Sequence, residues 1–152
     1  MEVRRKWQGG VIPGEANAVE RAVDVLDQQR AQRAAAIERW GDAQRERMTR
    51  LCRAFPSLRD MPGTDPWDPR RFLRWFCSSD VTTAGDHAGR FVLLVWNSSY
   101  DWAEWATTPE ADGGLGLSEI ELRAFSVVDA VRRWDNDHMK AFQAWVEVPF
   151  WP

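Results

Sequence analysis

Lysine is almost missing from this chain: of 20 basic side chains, only Lys6 and Lys140 are lysine and 18 are arginine. Histidine (His87, His138) and cysteine (Cys52, Cys77) occur twice each. Structural zinc sites take their ligands in close pairs, and neither residue type is spaced that way here. The cysteines could make one disulfide at most, and two buried thiols in a reducing cytoplasm is the simpler expectation. No apolar run exceeds Phe91–Trp96, far short of the ~18–20 residues a membrane span needs. The start carries Arg4, Arg5 and Lys6 but no apolar stretch of signal-peptide length, so no secretory leader is expected. No Gly-x-Ser-x-Gly is present. Gly113-Gly114-Leu115-Gly116 lacks the Gly-Lys-Ser/Thr of a phosphate loop and reads as a flexible connector. No internal repeat is visible.

What is there is one domain's worth of an ordinary globular composition. The chain has 152 residues, 44% hydrophobic and 28% charged. A net charge of -3 excludes a globally basic nucleic-acid glove and leaves only local basic patches. Residues 1–60 hold twelve basic and nine acidic side chains, residues 61–152 eight and fourteen. The two halves can therefore attract each other, within a chain or between chains. Ten tryptophans and an arginine excess are what the codon usage of a GC-rich bacterial genome would give. Arginine still stacks and pairs bidentately where lysine does not.

Residues 1–14 read as a flexible basic arm, and 15–152 as a single helical domain. From Glu15, the residues Val19, Val23, Leu26, Ile37, Trp40 and Leu51 fall on one 4-3 register. Arg30, Arg33, Gln44 and Arg47 fill the remaining seam positions. Gly41-Asp42 is the only punctuation, and it leaves open one long helix or two in tandem. Pro56 ends the run. After a proline-rich loop, Asp68-Pro69 is a strong helix start, and a short helix follows to about Cys77. Gly85-Asp86 offers another cap. Phe91–Trp96 is apolar throughout. Its helical neighbours and the lack of partner strands favour helix, while its β-branched and aromatic content keeps a strand, and an α+β fold, as the alternative. Tyr100–Trp105 suggests a further helical turn, and Thr107–Gly116 a loop. Ile120, Ala124, Val127, Val131, Trp134, His138, Ala141 and Trp145 then step by 4 and 3 without a break. With Ser118 and Glu121 at capping-box spacing, they predict a helix over about 119–147. Ser126 and Asp129 have the same spacing, so the helix could start there and leave Glu119–Phe125 as a short strand. The expected fold is all-α, a long N-terminal helix or pair packed with a long C-terminal helix and one or two short middle ones.

Candidate chemistry is sparse. Asp135 and His138, three apart, form half of a di-iron motif, but the inward carboxylates and second pair are missing. An interior histidine hydrogen-bonded to the carboxylate is the plain expectation. Nothing in the sequence brings a serine to either histidine. Arg70, Arg71, Phe72, Arg74, Trp75 and Phe76 interleave base and ring in a way that suits single-stranded nucleic acid or a partner protein, though a helix with buried rings explains them as well. Trp7, Trp102, Trp105 and Trp151 lie in terminal or loop-like segments, and exposed tryptophan with arginine is an interface composition. The expected function is a non-enzymatic interaction or assembly module that binds itself or another protein. Its candidate contact residues are Arg30, Arg33, Trp40, Arg47, Arg70, Arg71, Arg74 and Trp75. The alternatives are a nucleic-acid-binding accessory protein, binding weakly and electrostatically, and a small metal-dependent enzyme on Asp135 and His138. No cofactor, metal or membrane span is expected, and the cytoplasm is the expected location.

Overall fold

The structure, a computed structural model, describes residues 13–97, 101–117 and 122–151, with side chains from residue 21 onward. The elements are α1 (Pro13–Ala54), α2 (Pro69–Ser78), α3 (Thr83–Trp96), α4 (Trp102–Thr107), a 3₁₀ turn (Glu110–Asp112), α5 (Val127–Arg133) and α6 (Asn136–Glu147). Among the described residues there is no strand, only an isolated bridge between Thr64 and Trp67. The fold is all-α, and Phe91–Trp96 is helical. Most of the expected arm lies outside the described residues, but Pro13 and Gly14 already belong to α1, where proline suits the first turn. Gly41-Asp42 does not interrupt α1. The chain divides into two compact units, Met1–Gly41 and Asp42–Pro152.

In the first unit, residues 21–40 are helical and every one is exposed. Local terms hold such a segment. Ala22, Ala31 and Ala34–Ala36 are the best helix formers available. Arg30 pairs with Asp27 at 3.2 Å, three residues back, and Arg39 donates to the Ala35 carbonyl.

The second unit holds the core, and Phe91 sits in its aromatic part. Its ring lies 5.1–5.7 Å from those of Phe55, Phe125, Phe142 and Trp145. The second half of α3, Phe91–Trp96, is apolar all round and is buried or half-buried, as a core helix should be. It starts earlier than Gly85-Asp86 suggested, because the Thr82 hydroxyl accepts the Gly85 N–H and caps it. Gly89 of α3 lets Phe76 of α2 pack directly on the backbone: a Cβ there would stand 2.3 Å from the Phe76 ring. α2 begins as expected, with Asp68 accepting the N–H groups of Arg70 and Arg71 and proline following it.

The C-terminal helix departs from expectation. Instead of one helix over 119–147, α5 ends at Arg133 and α6 starts at Asn136. Trp134 and Asp135 between them are extended. One local force and one long-range bond make the break. The Asp135 carboxylate caps α6 by accepting the N–H groups of Asp137 and His138. Trp134 turns inward, with its indole N–H donating to the Ala84 carbonyl at 3.1 Å. The other end is also corrected. Ser126 caps α5 by accepting the Asp129 N–H, and residues 122–125 are neither helix nor strand. The Ser118 and Glu121 capping box lies outside the described residues.

Candidate functional site

The structure distributes the candidate contact residues over three places. Arg30, Arg33 and Trp40 lie in the first unit. On the 4-3 register there, Val23 is 49%, Leu26 52%, Ile37 71% and Trp40 59% exposed. Four apolar side chains on one helical stripe, with Arg30 and Arg33 between them, are open to water.

In the second unit α1 buries Gln44, Met48, Leu51 and Cys52, so the inward stripe steps from 44 to 48 and leaves Arg47 outside. Arg47 lies 6.0 Å over the Phe150 ring, at a cleft that Leu51, Trp145 and Phe150 also line.

The α2 patch is largely committed to its own fold. Arg70 donates to the carbonyls of Gly113 and Gly114 and lies 5.2 Å over the Trp105 ring. Arg74 pairs with Glu110 at 2.8 Å. These two guanidinium groups tie α2 to the 110–114 loop. Trp75 is half-buried against the core, beside Phe72 and Phe76. Arg71 is exposed. Trp102 and Trp105 also pack against the core rather than standing free, while Trp151 is exposed and Trp7 lies outside the described residues.

A fourth place was half legible in the sequence, as the Asp135 and His138 pair without its third member. His138 is buried, and both of its ring nitrogens are engaged. Nδ1 lies 2.7 Å from the Asp135 carboxylate, and Nε2 lies 2.8 Å from the Ser57 hydroxyl. The Asp135 bond is the expected one. The Ser57 bond joins residues 81 apart, and no local pattern marks it. Asp135 accepts from the His138 backbone N–H, from its ring and from the Asp137 N–H, and these bonds hold its carboxyl below its ordinary pKa. In the tautomer whose Nδ1 proton faces the Asp135 carboxylate, Nε2 accepts from the Ser57 hydroxyl. Phe55 and Trp134 flank the imidazole, with ring centroids 6.0 and 6.5 Å away.

Both cysteines are free thiols, and burial pushes the pKa of each upward, Cys52 most. Neither has the depressed pKa of a reactive cysteine. Among the described residues no three His, Cys, Asp or Glu side chains are grouped to hold a metal, and no helix is long and apolar enough to cross a membrane. No family model, curated protein or solved structure matches the chain.

Proposed function

We propose that the protein is an interaction or assembly module that pairs through residues 21–40, with a second copy of itself as the first partner. The exposed stripe of Val23, Leu26, Ile37 and Trp40 carries this reading. Apolar surface left in water costs ~25 cal/mol per Å², and a facing helix removes that cost. The spacing is self-complementary when two copies run antiparallel. Val23 then meets Trp40, Leu26 meets Ile37 and Arg30 meets Arg33, each layer occurring twice about a two-fold axis. The central arginine layer weakens the pair and fixes its register, as polar seam residues do in coiled coils. Screening of that like-charge layer makes pairing stronger at higher salt.

Engineered cysteines test the geometry. Leu26→Cys and Ile37→Cys chains are oxidised separately and as a mixture. Antiparallel pairing predicts cross-linked dimers only in the mixture. Cross-links within each variant alone mean parallel pairing, and none anywhere beyond the unmodified chain's background removes self-pairing.

The nucleic-acid alternative draws less support. Arg70 and Arg74 are held by the 110–114 loop, and phosphate-driven binding weakens with salt, opposite to the trend proposed here. An enzyme built on Asp135 and His138 as metal ligands also draws little, because both ring nitrogens of His138 are occupied.

A further inference from the structure

We propose that Ser57 is a nucleophile served by His138 and Asp135, and that the protein hydrolyses small activated acyl esters at this hydroxyl. This is independent of the pairing of residues 21–40, because all three residues lie in the second unit.

The connectivity is that of a nucleophile, base and orienting acid. Asp135 accepts from His138 Nδ1 at 2.7 Å, and His138 Nε2 stands 2.8 Å from Ser57 Oγ. With Nδ1 protonated, the Ser57 hydroxyl donates to Nε2, so its proton already points at the base. Asp135 is fixed in turn by the N–H groups of Asp137 and His138. The imidazole is buried, while Ser57 is only half-buried.

The surroundings of Ser57 favour negative charge on the reacting atoms. The opening turn of α6 supplies His138, and the opening turn of α3 packs against Ser57 from another side. Gly85 makes that approach close: a Cβ on it would lie 3.4 Å from Ser57 Cβ and 3.6 Å from Oγ. Thr82 satisfies the N–H groups of Gly85 and Asp86. The first two N–H groups of α3, on Thr83 and Ala84, have no acceptor within their own helix. The positive end of this 14-residue helix, which reaches Ser57 through Gly85, is what would favour an oxyanion there. The close approach of Gly85 to Ser57 is the reason a short acyl group is proposed.

The reaction balances without a cofactor. Ser57 Oγ attacks the acyl carbon as Nε2 takes the hydroxyl proton. The tetrahedral intermediate collapses, the bond to the leaving oxygen breaks, and Nε2 returns the proton to it as the alcohol departs. Water then attacks the acyl-Ser57 ester with its proton passing to Nε2. The carboxylic acid leaves, and the proton returns to Ser57. Asp135 stays ionised throughout.

Diisopropyl fluorophosphate, followed by intact-mass and peptide-mapping mass spectrometry on the full chain, tests this. One adduct is expected, mapping to Ser57 and absent in Ser57→Ala. The labelling rate should fall about 100-fold or more in His138→Gln, following the scale of general-base catalysis. Asp135→Asn should label at least tenfold more slowly, and as an exposed position it provides a second variant if His138→Gln does not fold. p-Nitrophenyl acetate should give a burst of one acyl group per chain that Ser57→Ala lacks. No adduct on the natively folded chain, an adduct elsewhere, or equal labelling in folded His138→Gln or Asp135→Asn would overturn the proposal and leave the trio as a structural clip.

Discussion

Residues 21–40 and residues 44–54 belong to one helix, α1, yet they meet opposite conditions. No side chain of the first stretch is buried, whereas Gln44, Met48, Thr49, Leu51 and Cys52 of the second are. The second is helical because its burial rewards the helix. The first relies on alanine, on the Asp27–Arg30 pair and, in the proposed pairing, on a facing copy of its stripe. Such i,i+3 pairs contribute only ~0.2–0.5 kcal/mol each. Helix and stability are thus separable within a single element, and a stretch that holds an unspent apolar stripe is suited to a partner.

Substitutions sharpen that contrast, and the largest effects belong to the second unit. Phe91→Ala removes the ring shared by Phe55, Phe125, Phe142 and Trp145 and should cost about 3–5 kcal/mol in urea unfolding. Gly89→Ala drives a methyl into the Phe76 ring and should cost ~1–3 kcal/mol. Ser126→Ala removes the cap of α5 and should cost ~1 kcal/mol. Gly41→Ala has open space around it and should stabilise by ~0.5–1 kcal/mol through helix propensity alone. A core-sized loss at Gly41 would break the contrast.

The Asp135 carboxyl gives a pH test. Its pKa is depressed in the folded chain, by the His138 backbone N–H first. Its contribution is therefore complete above the ordinary carboxylate range, roughly pH 4, and is lost as pH falls through the lower folded value. Compared with Asp135→Asn, the advantage of the native chain should shrink as pH falls below about 4. An advantage that grows as pH falls below about 4 would contradict the assigned bonds.

Much of the fold was legible, because periodicity and caps are local. Asp68-Pro69 marked α2, and Phe91–Trp96 is helical as its neighbours suggested. The 4-3 pattern over 120–145 was regular but misleading. The same residues serve two shorter helices, since Asp135 is a better cap than a mid-helix residue and Trp134 gains a bond to Ala84 by leaving the helix. The seam through Arg47 was displaced for a related reason: Met48, one position on, is the better core residue. Of the candidate sites, the exposed stripe was readable from spacing. The use of Arg70 and Arg74 by the 110–114 loop, and of His138 by Ser57, was not, because each contact joins residues more than 30 apart in sequence.

Light scattering after gel filtration, on the full chain at tens of micromolar, bears most directly on the reading of residues 21–40. The native chain is expected at twice 17.5 kDa, with the dimer fraction rising with salt. Ile37→Asp combined with Trp40→Asp should return it to 17.5 kDa while leaving the urea unfolding of the second unit within about 0.5 kcal/mol, as surface changes do. A strictly monomeric native chain, unchanged by those substitutions, would contradict self-pairing through the stripe.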